Sequence, residues 1–220
     1  IQAGVTGRLL SNGHVQVQTE LGSVEVQLNT LGSHNARNAL AASAVAVAAG
    51  VSLEKIKQGL ESFSPVNGRM QAKKIDPNHT LIDDSYNANP DSVRAAIDAL
   101  KQSGNISWLI LGDMGEVGNQ GPEFHREVGA YAAEQGIAKL FALGEQCQFA
   151  IQGFDQVNKA ASISKAMYFS DMDSLIAQLR DALHAQSTGS NQHLNILVKG
   201  SRFMRMERVV QALLEEAKTC

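Results

Sequence analysis

Three short segments of the sequence place acids, amides, glycines and cations at spacings that could bind a ligand. The first is DDSYNANP, in which Asp83 and Asp84 follow an apolar run and Asn87 and Asn89 come next. Carboxylates accept hydrogen bonds from ribose hydroxyls, and the two amides can pair with a base or a phosphate. The segment also fits a plain helix start, with Asn89 as N-cap, Pro90 as first helical residue and Asp84 bonded to nearby backbone donors. Spacing alone leaves both interpretations open.

The second segment is LGDMGEVG, residues 111–118, after the apolar run ISWLI. Its glycines recur every third residue, which would permit close approach of a ligand to the backbone. Asp113 and Glu116 could hold an ammonium group. The pattern is not G-x-G-x-x-G, so it does not predict dinucleotide binding. A flexible loop with solvated acids is the alternative interpretation.

The third segment is KGSR, which follows the apolar run NILV. Lys199 at a strand end, with Ser201 as the N-cap of a following helix, could present a cation and free backbone N–H groups to an anion. The spacing is wrong for a Walker A phosphate loop. A capped helix with two surface cations, Lys199 and Arg202, fits the same residues.

Other chemistry-bearing residues give weaker signals. Asn35 and Asn38 lie three apart near the start of an alanine-rich segment, which indicates a polar contact on one helix face. His125 is interpreted as a surface or hydrogen-bonded core histidine. Cys147 and Cys220 have no context typical of a nucleophile, and no C-x-x-C or H-E-x-x-H spacing occurs, so no metal site is predicted.

Composition excludes several classes of protein. The 220 residues are 44% hydrophobic and 19% charged, with a formal net charge of −3, which is typical of a globular chain and unfavourable for binding nucleic acid or an anionic membrane. The longest apolar stretch, Ala39 to Ala49, is too short for a membrane span. Two cysteines and no signal peptide favour a reducing cytoplasm. Because the chain begins with Ile1, we expect a fragment or a processed product.

The N-terminal third predicts a small mixed unit. Residues 15–28 alternate apolar and polar around a turn at 20–23, which indicates an antiparallel hairpin. One helix is predicted from Ser33 to a stop at Gly50, and a second from Ser52 to about Phe63. Apolar periodicity is then lost, and we place the domain boundary between residues 72 and 73.

Residues 73–220 alternate short apolar runs with helical patterns. This order predicts right-handed βαβ units and a Rossmann-like, doubly wound, mostly parallel sheet, with ligands at the carboxyl ends of the strands. The predicted strands are TLID, ISWLILG, AKLFAL, AMYF and LNILVKG, and the predicted helices cover about 90–100, 124–135, 145–151, 171–185 and 202–218.

Taken together, the motifs resemble those of the Mur ligases, the ATP-dependent amide-forming enzymes of peptidoglycan synthesis. The resemblance covers essentially the whole chain. It rests on five segments in this order: GSHNARNALAA from Gly32, Gly68 with Arg69, DDSYNANPDS from Asp83, LGDMGEVG from Leu111 and KGSRFMRME from Lys199. Gly115 departs from the pattern, since family members often have a larger residue there.

The resemblance implies a reaction and a place in a larger enzyme. ATP with Mg²⁺ would convert the carboxylate of UDP-N-acetylmuramoyl-tripeptide to an acyl phosphate, which D-alanyl-D-alanine would attack. Residues 1–72 would be the C-terminal portion of the central ATP-binding domain, an ATPase of the P-loop type, and residues 73–220 the C-terminal Rossmann-like domain. The Walker A loop, the modified lysine and the magnesium ligands are absent from the sequence, so we expect this chain alone to be inactive.

The resemblance also implies roles for single residues. Asn35 and Asn38 would lie near adenine, Arg69 near the γ-phosphate and Asp84 at the ribose, and Asn87 and Asn89 would close over the nucleotide. Substrate contacts are expected from Asp113, Glu116, Lys199, Ser201 and Arg202. Two alternatives remain: a folylpolyglutamate or amino-acid ligase of the same superfamily, and a non-catalytic Rossmann-like ligand-binding or interaction module.

Overall fold

A computed structural model describes residues 4–10, 14–29, 33–64, 66–158, 165–189 and 192–216. The chain divides into two compact units, residues 1–66 and 67–220. The predicted boundary, between residues 72 and 73, lies a few residues further along, inside a strand that begins at Gln71. Cys220 and the end of the predicted final helix lie outside the described residues.

The first unit contains a three-stranded antiparallel sheet. Its strands are β1 (Val5–Leu9), β2 (Val15–Thr19) and β3 (Gly22–Val26), in that spatial order. Val15 pairs with Val26 across the β2–β3 hairpin, which confirms the predicted hairpin. Strand β1 was not predicted, because VTGRL carries a glycine and only two apolar residues.

Two helices complete the first unit, and both agree with the predicted helices. Helix α1 spans Ser33–Ala48 and helix α2 spans Leu53–Ser62. Gly50 has φ +76, a left-handed conformation that suits glycine just beyond a helix end. The small core of this unit joins the two helices to the sheet and contains Val15, Val17, Val26 and Ala36.

The second unit contains a six-stranded mixed sheet. Its strands are β4 (Gln71–Asp76), β5 (His79–Asp84), β6 (Ile106–Gly112), β7 (Lys139–Leu143), β8 (Lys165–Phe169) and β9 (Leu194–Lys199). The spatial order is β4-β5-β9-β6-β7-β8, and every neighbouring pair is parallel except β4 with β5. The predicted mostly parallel sheet is confirmed, and the antiparallel edge strand β4 is an addition.

Helices cover both faces of this sheet. One apolar core packs α3 (Pro90–Gln102), α4 (Gly121–Glu134) and α5 (Cys147–Val157) against the sheet. The opposite core packs α6 (Met172–Gly189) and α7 (Glu207–Glu216). Neighbouring strand residues alternate between the two cores, as Leu81 and Ile82 do, so the sheet is buried on both faces. This arrangement confirms the doubly wound architecture.

The predicted final helix begins too early. Arg202–Met204 form a short 3₁₀ turn, Arg205 has a left-handed conformation with φ +50, and α7 begins only at Glu207. In the described residues, no helix combines the length and the apolar character that crossing a membrane requires.

Candidate functional site

Three strand ends bring the three predicted segments together. In the parallel sheet, Asp84 at the end of β5 pairs with Lys199 at the end of β9, and Lys199 pairs with Leu111 near the end of β6. The turns after these strands therefore lie side by side at the carboxyl edge, where α/β sheets bind ligands.

A buried ion pair lies at the centre of this edge. The Lys199 Nζ lies 2.6 Å from Asp84 Oδ2, and the two side chains are 3% and 12% exposed. Lys199 Nζ also donates to the carbonyl oxygen of Asn87, at 2.9 Å. The other carboxylate oxygen, Asp84 Oδ1, accepts from the backbone N–H of Met70 at 3.1 Å. The pair therefore connects three separate stretches of chain.

The carboxylate of Asp83, the residue before Asp84, is also bonded to other side chains of the chain. Lys73 Nζ lies 2.7 Å from Asp83 Oδ2, and the Ser85 hydroxyl donates to Asp83 Oδ1 at 2.6 Å. A divalent cation bound by Asp83 and Asp84 would have to displace two lysine ammonium groups. The two carboxylates therefore do not fit a magnesium site.

An exposed aromatic ring at this edge is surrounded by cations. The Arg69 guanidinium lies 4.7 Å from the centre of the Tyr86 ring, and that of Arg202 lies 5.8 Å from it. Tyr86 N–H donates to the Gly68 carbonyl oxygen at 3.0 Å. Gly68 has φ +77, and a side chain there would meet the Tyr86 backbone. The result is an exposed cationic surface suited to phosphate oxygens.

The sequence did not predict Tyr86 as a site residue. Its position inside DDSYNANP was the available signal, but the stacked arginines come from the turns at 68–70 and 199–202. Only the strand order of the sheet brings these turns together.

The first turn, residues 85–89 after β5, contains two asparagines, which differ in role. Asn89 Oδ1 accepts from Ser92 N–H at 2.8 Å, and Asn89 N–H donates to the Ser92 hydroxyl, which forms a capping box at the start of α3. The predicted Asn89 cap is confirmed. Asn87 is exposed, and its Oδ1 accepts from the N–H of Ala88.

Ser201 joins the first turn to the second. Its hydroxyl donates to the Ala88 carbonyl oxygen at 3.0 Å and accepts from the N–H of Gly115. Its own N–H donates to the Asp113 carbonyl oxygen at 3.0 Å. Ser201 occupies the predicted N-cap position, but of the short 3₁₀ turn Arg202–Met204, and its side chain makes no capping bond because it is buried and bonded to these neighbouring turns instead.

In the second turn, residues 112–118 at the end of β6, two glycines allow close packing of the segment that follows β9. A side chain at Gly112 would meet Met206 Sδ at 2.8 Å, and one at Gly115 would meet Phe203 Cε1 at 3.1 Å. The expectation that these two glycines admit a ligand is therefore corrected: they admit the segment after β9. Glu116, in contrast, is exposed and has a left-handed φ of +59.

A buried polar cluster of Asp113, His125 and Cys147 packs against the second turn. His125 Nε2 accepts from Met114 N–H at 2.9 Å, and its Nδ1 lies 2.6 Å from the carbonyl oxygen of Gly121, to which it donates. Asp113 Oδ1 accepts from Cys147 N–H at 2.8 Å. Of the two interpretations left open for His125, surface or hydrogen-bonded core, the structure shows the hydrogen-bonded core histidine.

The same cluster has the composition of a metal site but not the chemistry of one. Donor atoms of Asp113, His125 and Cys147 lie within 4.8 Å of one another. Burial lowers the pKa of His125 and raises the pKa of the Cys147 thiol, so the thiol is not in the thiolate form that binds metals. The thiol donates to the Leu111 carbonyl oxygen, and the ring nitrogens are already bonded. These hydrogen bonds engage all three side chains and fix the second turn.

The remaining predicted residues lie in the first unit. Asn35 is half-buried and Asn38 is exposed, both near the start of α1.

The residues of this edge lie within a segment that matches a known protein family. Residues 68–202, more than half of the chain, match the sequence profile described as "Mur ligase, glutamate ligase domain". The chain belongs to the Mur ligase family. This profile includes all three turns of the carboxyl edge, from Gly68 to Arg202.

Individual Mur ligases match most of the chain. It is 37% identical over 204 residues to the UDP-N-acetylmuramoyl-tripeptide–D-alanyl-D-alanine ligase of Escherichia coli K12, covering 93% of this chain and 42% of that protein. The Bacillus subtilis enzyme of the same name is 32% identical, with 84% and 39% covered. The chain therefore spans about two fifths of the length of these curated relatives.

Solved structures of Mur ligases share the fold. A crystal structure of MurF from Acinetobacter baumannii has a TM-score of 0.83 and 34% identity, covering 96% of this chain and 45% of that one. The Thermotoga maritima MurF ligase in complex with ADP has a TM-score of 0.74, covers 98% of this chain and 47% of that one, and at 19% identity shows the fold alone.

Proposed function

We propose that this chain is part of an ATP-dependent ligase that joins D-alanyl-D-alanine to UDP-N-acetylmuramoyl-tripeptide in peptidoglycan synthesis. The observation that carries the proposal is the 37% identity across 93% of the chain to a relative with that printed name. The meeting of the three motif turns at one sheet edge supports it, because a ligase must bring a nucleotide and two substrates to one place.

ATP, when bound with Mg²⁺, supplies the phosphoryl group that turns the tripeptide carboxylate into an acyl phosphate. Arg69 places an exposed guanidinium group beside Tyr86, where it would neutralise negative charge on phosphate oxygens. Asn87 is exposed beside them and has an amide that can bond the nucleotide. The carboxylates of the first turn are paired with lysines, so we assign the magnesium ligands to other parts of the enzyme.

The predicted nucleotide contacts remain part of the proposal. Asn35 and Asn38 would contact adenine, and the exposed Asn89 would close over the nucleotide. Asp84 has both oxygens bonded within the chain, so a ribose hydroxyl would have to share an oxygen with Met70 N–H or Lys199.

Two exposed residues suit the acceptor dipeptide. Glu116 is a carboxylate that could hold the ammonium group, and Arg202 is a cation that could hold the carboxylate. Asp113, Lys199 and Ser201 were predicted to bind the acceptor too, but they are buried and bonded to other parts of the chain. These bonds favour a supporting role for the three residues.

The wider context follows from the same proposal. Residues 1–72 would complete the central ATP-binding domain of the enzyme, and residues 73–220 would form its C-terminal domain. The cytoplasm is the proposed location, since its substrates are nucleotide-linked and the chain has only two cysteines.

The test is phosphate release by the full-length protein that contains this chain. We expect release from ATP that requires both UDP-N-acetylmuramoyl-tripeptide and D-alanyl-D-alanine, with formation of the UDP-N-acetylmuramoyl-pentapeptide. L-alanyl-L-alanine is the matched control and should give no product. Amide formation with glutamate instead would indicate a folylpolyglutamate-type ligase. The absence of any product would favour a non-catalytic module.

The 220-residue chain by itself should be inactive in the same assay, since its sequence contains no Walker A loop. Turnover by this chain alone at the full-length rate would contradict the assignment of ATP hydrolysis to the other part of the enzyme.

A further inference from the structure

Lys199 is a buried lysine in a place where a surface cation was expected. Its side chain is 3% exposed, and no other lysine in the described part of the chain is buried. Burying an ammonium group is unfavourable unless a partner compensates the lost hydration. Asp84 Oδ2 at 2.6 Å and the Asn87 carbonyl oxygen at 2.9 Å provide that compensation. The same two bonds fix both ends of the segment that carries Tyr86.

The other oxygen of Asp84 reaches a second turn. Asp84 Oδ1 accepts from the N–H of Met70, whose left-handed φ of +47 is uncommon for a residue with a side chain. The residue before Met70 is Arg69. The hydrogen bond from Tyr86 N–H to the Gly68 carbonyl oxygen joins the same two turns a second time. Lys199 therefore acts through Asp84 on the backbone that carries Arg69.

We propose that Lys199 is a positioning residue: through Asp84 and the Asn87 carbonyl oxygen it holds the 68–70 turn and the 85–89 turn together, so that Arg69 stacks on Tyr86. Its ammonium group contacts neither the nucleotide nor the acceptor. The proposal rests on the proposed function only in assigning a phosphate to Arg69. The positioning itself is a property of this chain.

Amide hydrogen exchange measured by NMR on the 220-residue chain tests the positioning without any substrate. In Lys199→Met, the amides of Met70 and Tyr86 should exchange about tenfold faster or more, because the bonds that hold the two turns are weakened. The core amides of Leu109 and Ile196 should keep their exchange rates.

Lys73→Met is the matched control. It removes the lysine of the neighbouring pair with Asp83, at 2.7 Å, but Lys73 has no bond to the Asn87 carbonyl oxygen and Asp83 has none to Met70. Exchange at Met70 and Tyr86 should therefore change less than twofold. Equal acceleration in both variants would overturn the proposal, since it would show a general loosening of the edge.

Lys199→Met leaves Asp84 unpaired and could therefore fail to fold. A double variant provides the test in that case. Lys199→Met with Asp84→Asn buries no charge, and the amide oxygen at position 84 can still accept from Met70 N–H. We expect Met70 to stay protected while Tyr86, Asn87 and Ala88 exchange faster, because the tie to the Asn87 carbonyl oxygen is gone. Unchanged exchange at Tyr86, Asn87 and Ala88 would overturn the proposal.

Kinetics of the full-length enzyme separate this proposal from the proposed function. Lys199→Met should raise the KM for ATP about tenfold or more, while the KM for D-alanyl-D-alanine changes less than twofold. A selective rise in the dipeptide KM, with normal exchange at Met70, would overturn positioning and make Lys199 an acceptor ligand. A wild-type enzyme without ligase activity, together with the predicted exchange pattern, would refute the function and leave the positioning role intact.

Discussion

At the scale of single residues, buried polar groups at the carboxyl edge are matched by partners from other turns. Ser201 is 2% exposed and bonds to Ala88 and Gly115, and Lys199 bonds to Asp84 and the Asn87 carbonyl oxygen. A buried polar group costs about 1–3 kcal/mol when its partner is removed. Each bond therefore fixes the position of a turn as well as adding stability.

His125 should make the stability of the second unit depend on pH. Its pKa is lowered by burial, so the unfolded state, with an ordinary pKa near 6.5, binds a proton more readily than the folded state. The free energy of unfolding should therefore fall as pH drops below about 6.5, by up to about 1.4 kcal/mol per pH unit, until the folded pKa is reached. Urea unfolding between pH 7.5 and 5.0, followed by Trp108 fluorescence, measures this slope.

Two variants check the origin of that slope. His125→Gln should have a lower free energy of unfolding at pH 7.5 and a shallower pH dependence, because the titrating group is gone. The exposed His184 provides the control, and His184→Asn should keep the wild-type slope. An equal slope in wild type and His125→Gln would assign the pH dependence to other groups.

Residue roles were only partly predictable from the sequence. The Asn89 cap follows from a local pattern and is confirmed, whereas for His125 the sequence left a surface and a core position open and only the structure shows the core position. The burial of Lys199 could not be predicted, because its partners are 112 and 115 residues away in the sequence. The bonds of Ser201 to two turns could not be predicted either, because those partners are 86 and 113 residues away. Local sequence carries no signal for such contacts.

At the scale of elements, α4 and α5 pack with their backbones in close contact. A side chain at Gly129 of α4 would collide with the Ala150 carbonyl oxygen, and one at Gly153 of α5 would collide with that of Arg126. Gly129→Ala should therefore lower the free energy of unfolding by about 1–3 kcal/mol, because the helices must separate. Thermal unfolding followed by far-UV circular dichroism measures the loss.

Gly59→Ala is the matched helical control. Nothing lies within 4 Å of a side chain at Gly59 in α2, so the change should be neutral or stabilise by about 0.5–1 kcal/mol through helix propensity. A Gly129→Ala variant as stable as wild type would show that the two helices are not in backbone contact.

The order of strands and helices could be predicted, but some of their ends could not. Alternating apolar runs and helical patterns correctly predict the parallel strands from β5 to β9, since buried parallel strands have strong apolar signals. Strand β4, QAKKID, has only two apolar residues and lies at the sheet edge, so it gave no such signal. The start of α7 was missed because Arg205 turns the chain with a left-handed φ.

At the scale of the whole molecule, the second unit should fold by itself. Residues 67–220 contain two apolar cores, one on each face of a six-stranded sheet. We expect a chain of these residues to give a dispersed NMR spectrum and the same Trp108 unfolding midpoint, within about 0.3 M urea, as residues 1–220. A molten or aggregated product would show that the second unit depends on residues 1–66.

The central claim is that this chain serves an amide ligase that activates a carboxylate with ATP. The most direct test supplies the full-length enzyme with UDP-N-acetylmuramoyl-tripeptide whose terminal carboxylate carries oxygen-18, together with ATP and D-alanyl-D-alanine. An acyl phosphate predicts one labelled oxygen in each released phosphate, because that oxygen bonds to phosphorus before the amine displaces it from carbon. Amide product accompanied by unlabelled phosphate would contradict the claim.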